Sequence, residues 1–206
     1  MKEVIFQHIN EMWDELRTCG EFQKVSFEQF YKDVGMVDMP NKELLVLDAI
    51  CLRRNTKGRE QDCRDVARDM YDNIKLPVRS TYDSSGHDFF APFEFMLEPG
   101  QSIMIPTGIR VLINHGWDLS IFPRSGLGVK YRCQLDNTCG IIDADYSGSS
   151  NEGHIFIKLT NDSHEDKMMH IKQGQAFAQG IFRVYGLTRN DNVTAKRDGG
   201  FGSTNA

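Results

Sequence analysis

The spacing of apolar residues changes once along the chain, at Ile74-Lys75-Leu76-Pro77. Upstream it follows the 3.6-residue period of an α-helix. Ile5, Ile9, Met12, Trp13 and Leu16 form one stripe, which Cys19-Gly20 ends. Ser26 and Gln29 have capping-box spacing and predict a short helix from Phe27 through Asp33. Pro40-Asn41 breaks the chain again, and Asn41 is placed to cap a helix carrying Leu44, Leu47 and Ile50. A charged linker, Arg53 to Arg59, leads to a last helix with Val66 and Met70 inward. The charges of that helix, from Arg64 to Asp72, read as a solvated face of paired ions. Residues 1–75 are therefore expected to be a helical N-terminal extension, an appendage for packing or interaction.

Downstream the period falls to two, and short apolar runs alternate with Gly, Pro, Asn and Asp turns. Strands are predicted at Phe89-Phe90, Phe93 to Leu97, Ser102 to Ile105, Ile109 to Ile113 and Trp117 to Phe122. Further strands fall at Gly140 to Ile142, His154 to Thr160, Met168 to Ile171 and Ala176 to Tyr185. Many short strands with regular turns imply a mainly β fold, a barrel or jelly roll, over residues 76–190. From Asn190 the apolar pattern fades, and residues 191–206 are expected to be a flexible C-terminal arm with glycines around Phe201.

Composition narrows the function classes. The hydrophobic and charged fractions, 40% and 26%, are those of an ordinary globular protein, enough for one good core. A net charge of −5 gives no general reason to expect nucleic acid or an anionic membrane as partner. Any phosphate site must then come from local placement of Arg and Lys. No apolar run is long enough to span a membrane, and MKEVIFQHINEMW is not a signal peptide. The five cysteines are odd in number and lack CxxC or Cys/His spacing, so they read as reduced thiols of a cytoplasmic protein with no metal site.

Candidate chemistry concentrates between Pro123 and Tyr146. Arg124-Ser125-Gly126-Leu127-Gly128 follows an apolar strand as a turn with a cation, a hydroxyl and two glycines. Arg offers a bidentate fork to phosphate, and glycine lets backbone N–H groups approach its oxygens. Gly140-Ile141-Ile142 then delivers Asp143, with Asp145 and Tyr146 expected on alternate faces of one hairpin. A phosphate cradle, a carboxylate and an aromatic ring together suggest hydrolysis of a nucleotide phosphate.

With those residues in view, the chain from about Leu76 to Thr204 resembles the trimeric deoxyuridine triphosphatase (dUTPase) family. Five ordered motifs carry the resemblance. They are Ser85 to Phe89 with Ile105 to Gly108; Pro123 to Gly128; Asn137 with Gly140 to Tyr146; Ala178 to Phe182; and Arg197 to Thr204. The insert Ser147 to His154 resembles the Asn-Glu-Gly-His version of Gram-positive bacteria and their phages, and Phe22 to Phe30 is similar to a leader on phage-type members. His87 and Asn205 depart from the usual family residues.

The resemblance implies a dUTPase-like jelly roll that hydrolyses dUTP to dUMP and pyrophosphate by water attack on the α-phosphorus. That reaction keeps uracil out of DNA and supplies dUMP for dTMP synthesis. Asp143 would be the general base, and Arg124, Ser125, Gly126 and Gln179 would grip the phosphates. Asn137 and the backbone of Gly140, Ile141 and Ile142 would read the uracil edge, with Tyr146 against the sugar. Arg197, Phe201, Gly202, Ser203 and Thr204 would close over the nucleotide from another subunit of a homotrimer. Mg²⁺ is expected on phosphate oxygens and water without direct protein ligands, with Asp88 and Asp145 able to touch its water shell or brace Arg124. A deaminase of the same fold would need a glutamate, for which Glu152 is the nearby candidate. A repressor-type protein partner, bound through the N-terminal helices or the nucleotide site, is the alternative from another class.

Overall fold

The computed structural model describes residues 18–37, 60–195 and 197. The stripe from Ile5 to Leu16, the helix of Leu44, Leu47 and Ile50, the linker Arg53 to Arg59 and the residues Phe201 to Thr204 lie outside them.

Twelve strands are described: β1 (Gly20–Lys24), β2 (Val78–Arg79), β3 (His87–Phe90), β4 (Phe95–Leu97), β5 (Ser102–Pro106) and β6 (Ile109–Ile113), then β7 (Trp117–Pro123), β8 (Gln134–Leu135), β9 (Gly140–Ile142), β10 (Phe156–Thr160), β11 (Met169–Ile171) and β12 (Ala176–Val184). The helices are α1 (Phe27–Val34), α2 (Glu60–Asp72) and α3 (Ser125–Tyr131), with a 3₁₀ turn at Ala144–Gly148. The strands form four small sheets, in the orders β1-β6, β5-β10-β8, β11-β4 and β2-β3-β12-β7-β9. Every pairing is antiparallel. The expected mainly β jelly roll is what forms.

Period-two patterning explains the register. Ile103 and Ile105 of β5 face Leu159 and Ile157 of β10, all four buried, while Met104 and Lys158 between them point outward. A one-residue slip would expose that apolar set, so the register is strongly specified. Phe89, Leu119, Ile121 and Phe177 complete the same core from the large sheet.

The described part of the N-terminal extension differs from the helical expectation. Gly20–Lys24 is a strand, pairing along β6 from Gly20–Ile113 to Lys24–Ile109. Its five residues are too few to show a period, and an available sheet edge decides their conformation. Ser26 caps α1 by accepting the Gln29 N–H at 3.2 Å. The reciprocal half of the capping box is absent: Ser26 N–H donates to Glu152 at 2.7 Å, and Gln29 Nε2 donates to Asp33 at 2.7 Å.

Helix α2 buries Cys63, Ala67 and Met70, with Ile74 just beyond its end. Met70 is inward as expected, but Val66 is 39% exposed. Cys63, Ala67 and Met70, three to four residues apart, form the buried face of the helix and leave Val66 on its flank. Arg68 is also not a plain solvated charge, because its guanidinium lies 3.4 Å from the Phe27 ring centroid. Val25, Phe27, Phe30, Val34, Ala67, Met70 and Ile74 belong to the same core cluster as the β-strands. The leader is part of the barrel's packing.

Gly108 is where that packing is tightest. Its φ is +73°, and a Cβ there would sit 2.2 Å from Ile74 Cδ1 and 3.3 Å from Phe30 Cδ2. Gly108→Ala therefore combines left-handed strain with overpacking, and is expected to cost about 2–4 kcal/mol. Denaturant titration reads this directly; an unchanged midpoint would show that the leader is not packed on the barrel.

Candidate active site

The pairing of β7 with β9 sets the position of the site. Leu119, Ser120 and Ile121 face Ile142, Ile141 and Gly140. Strand β8 pairs instead with β10, through Leu135–Leu159 and Gln134–Thr160. The segment from Asn137 to Tyr146 is thus not one hydrogen-bonded hairpin, as expected from sequence. It crosses from one sheet to another through a tight turn, with Thr138 at φ +66° and Cys139 N–H donating to Asn137 O at 2.7 Å. The gap between the sheets is a cavity of about 440 Å³.

Asn137, Gly140, Ile141, Ile142, Tyr146 and Arg197 all line it. A Cβ added to Gly140 would lie 3.8 Å from Asn137 Nδ2, so the amide overhangs a backbone stretch without a side chain. Met104, Phe156 and the ion-paired Lys158 and Asp136 close the far wall. Those four were not singled out in the sequence, because each reads as an ordinary strand or turn position.

Asp143 precedes the 3₁₀ turn Ala144–Gly148, so Asp145 and Tyr146 follow in a helical turn rather than on alternate faces of a strand. The Tyr146 N–H donates to Asp143 O at 3.1 Å, closing that turn. Arg197 joins the two carboxylates: its Nη2 donates to Asp143 Oδ2, and its Nε donates to Asp145 Oδ1 at 3.0 Å. Its guanidinium also lies 5.9 Å from the Tyr146 ring centroid. A cation between two carboxylates at the mouth of a cavity is a site that a polyanion can enter by taking the cation over.

Tyr146 is buried. Its hydroxyl donates to His154 O at 3.0 Å and accepts from Asn151 Nδ2 at 2.9 Å. Burial pushes its phenol above the ordinary value of 10, against the opposing effects of Asn151 and Arg197. The hydroxyl therefore keeps its proton and remains a donor.

A second polar group lies on the large sheet. Arg124-Ser125-Gly126 is not a turn but the start of α3, with Arg124 at the N-cap. Leu127 and Tyr131, four residues apart, give the segment its inward face, which the two glycines obscure in the sequence. Leu127 and Gly128 donate to Arg124 O at 3.0 Å each, while the N–H groups of Ser125 and Gly126 stand at the open helix start. Arg124 Nε pairs with Asp88 at 3.1 Å, and Ser80 donates to the other Asp88 oxygen at 2.7 Å. Gln179 faces Asp88 and Phe122 across the sheet and donates to Pro123 O at 3.1 Å. Arg124, Ser125, Gly126 and Gln179 are brought together, but none of them lines the cavity of their own chain.

The sequence from residue 72 to 205 matches the dUTPase family model, well over half of the chain. This chain belongs to the dUTPase family. Deoxyuridine 5′-triphosphate nucleotidohydrolase of Lactococcus lactis is 36% identical over 136 residues, 65% of this chain and 89% of that protein. The enzyme of the same name from Finegoldia magna is 38% identical over 139 residues, 64% of this chain and 92% of that one. The crystal structure of the Streptococcus mutans dUTPase aligns with a TM-score of 0.51 at 31% identity, over 58% of this chain and 91% of that one.

Among the described residues no glutamate lines the cavity, as the deaminase reading would need. Glu152 accepts hydrogen bonds from Ser26 N–H at 2.7 Å and Ser26 Oγ at 2.6 Å and does not line the cavity. Desolvation pushes its carboxyl up, but the Ser26 bonds, helped by the nearby Arg110 charge, outweigh it and hold the carboxyl below the ordinary value. It is a docking residue for the leader.

Proposed function

We infer that Asp143 is the general base with which this chain carries out its family's reaction, hydrolysis of dUTP to dUMP and pyrophosphate. The observation that carries this is the Asp143–Arg197–Asp145 group at the mouth of a cavity lined by Asn137, Gly140, Ile142 and Tyr146. The uracil edge meets the Asn137 amide and the backbone of Gly140, Ile141 and Ile142, where cytosine would leave donors and acceptors unpaired, at about 1–3 kcal/mol each. Tyr146 packs on the deoxyribose and leaves no room for a 2′-hydroxyl. Arriving phosphates compete for Arg197, and the Asp143 carboxylate so released orients and deprotonates the water that attacks the α-phosphorus.

Arg124, Ser125, Gly126 and Gln179 sit away from their own chain's cavity, which supports a composite site in a homotrimer. On that arrangement a neighbouring chain grips the phosphates; Arg197, expected from another subunit, reaches the cavity of its own chain here, and with Phe201, Gly202, Ser203 and Thr204 it would close over the nucleotide. Exposed apolar residues at the end of β12 and in the segment after it, Val184, Leu187 and Val193, favour such packing between copies. Mg²⁺ would enter as an ion carried by the substrate. Phosphate oxygens and water would hold it, and it supplies countercharge to the triphosphate. Asp88 is engaged in bracing Arg124.

No helix among the described residues is long and apolar enough to cross a membrane. A nucleotide-pool enzyme with free cysteines fits a cytoplasmic setting. The packing of the described helices α1 and α2 on the barrel favours the nucleotide face over those two helices as the surface for a repressor-type partner.

Pyrophosphate release from dUTP, dCTP, dTTP and UTP, with and without Mg²⁺, tests the function. Mg²⁺-dependent release from dUTP alone is expected. Ammonia from dCTP would replace the proposal with a deaminase, and no release from any nucleotide would leave a binding protein.

A further inference from the structure

Asp33 is a carboxylate that packing alone does not require. It lies in the last turn of α1, where the helix dipole is unfavourable to a negative charge, and its side chain is 8% exposed. Buried charge is costly unless hydrogen bonds compensate it, so an apolar residue would serve the contact better. Two donors converge on its Oδ2: Gln29 Nε2 at 2.7 Å and His154 Nδ1 at 2.6 Å.

His154 is fully buried, and its other ring nitrogen, Nε2, accepts the Gly108 N–H at 2.8 Å. That bond assigns the tautomer. An imidazolium would bring an Nε2 proton against the Gly108 proton, so the ring is neutral with its proton on Nδ1, donated to Asp33. The imidazole is thus fixed at both ends, by the leader helix and by the turn between β5 and β6. Phe156 packs on it with ring centroids 4.7 Å apart.

What His154 presents at the other end of the residue is its carbonyl, and that carbonyl receives the Tyr146 hydroxyl at 3.0 Å. Asn151 Nδ2 reaches both the Tyr146 hydroxyl, at 2.9 Å, and His154 O, at 3.3 Å. A continuous line of polar contacts therefore runs from Asp33 through His154 to the ring that lines the cavity.

We propose that Asp33 of the leader helix is a positioning residue for the nucleotide sugar, holding Tyr146 in place through the His154 imidazole and carbonyl. This rests on the role proposed above for Tyr146. Asp33 does not touch substrate; it sets how firmly the Tyr146 ring stands against the sugar, and therefore KM and the preference for deoxyribose over ribose.

The test is steady-state hydrolysis of dUTP and UTP by the full chain carrying Asp33→Ala, Tyr146→Phe, or both. Each single change is expected to raise KM for dUTP about fivefold to tenfold and to shrink the dUTP:UTP preference by a similar factor, with kcat little altered. The double variant should be no worse than the stronger single one, because both changes break the same line of contacts. Asp33→Asn keeps an oxygen for the Nδ1 proton and should restore most of the preference. Asp33→Leu, which fills the space without accepting a proton, reads the same quantities where the alanine variant folds poorly. Additive losses in the double variant, or Asp33 variants that lower thermal stability with the dUTP:UTP ratio unmoved, would overturn the proposal and leave Asp33 a fold residue. Tyr146→Ala separates the two levels: an unchanged ratio there removes the sugar role of Tyr146 itself, whereas a changed ratio with inert Asp33 variants removes the positioning role alone.

Discussion

Asp143→Asn is expected to lower dUTP turnover by at least about a hundredfold while leaving nucleotide binding and assembly in place. The substitution is isosteric, and its amide oxygen can still accept from Arg197. The backbone contact that closes the 3₁₀ turn, Tyr146 N–H to Asp143 O at 3.1 Å, does not involve the side chain. What disappears is a proton acceptor. A positioned base contributes roughly 10² to 10⁴ in rate, so a hundredfold loss, about 2.7 kcal/mol of barrier, is the lower end of the expected effect. Single-turnover hydrolysis with dUTP affinity measured in parallel checks it, alongside light scattering for the assembly. Unaltered turnover would remove Asp143 from the base role.

The barrel was legible because its signal is repeated: β6 and β9 fall on the residues that the alternation of apolar positions indicates, Ile109–Ile113 and Gly140–Ile142. Elements specified by their neighbours were not. Strand β1 exists because β6 offers an edge, and nothing within Gly20–Lys24 announces it. Helix α3 hides behind Gly126 and Gly128, whose low helix propensity outweighs the single Leu127–Tyr131 pair that turns it inward.

The candidate site shows the same division. Asn137, Gly140, Ile142, Tyr146 and Arg197 could be grouped from ordered motifs, and one cavity gathers them. The support for Tyr146 could not, because His154, Asn151 and Asp33 become neighbours only when a leader helix meets an insert more than a hundred residues away. The available hint was chemical: a histidine, an asparagine and a glutamate in a short insert after the motif, in a stretch otherwise fit for a plain turn.

Removing the chain from Arg197 onward is expected to abolish turnover and leave the fold intact. The ion pairs of Arg197 are partly solvated, its side chain 23% exposed beside carboxylates 44% and 56% exposed. Such pairs contribute about 0–1 kcal/mol each, so a shift of no more than a few degrees in Tm is expected. The core residues Phe89, Ile121 and Phe177 lose nothing. The effect on chemistry is of another size. Without Arg197 the mouth of the cavity keeps the carboxylates of Asp143 and Asp145 with no cation between them, which repels a triphosphate instead of exchanging partners with it. Removal of Phe201, Gly202, Ser203 and Thr204 also withdraws the groups proposed to close over the base and the outer phosphates. Turnover should fall by well over a hundredfold, and Arg197→Ala alone should recover part of the activity by keeping the glycine-rich arm. Circular dichroism melts separate the fold from the chemistry. A truncated chain that melts normally and still hydrolyses dUTP at the full rate would make Arg197 and the arm bystanders, and would place the phosphate countercharge entirely with Arg124 and the metal ion.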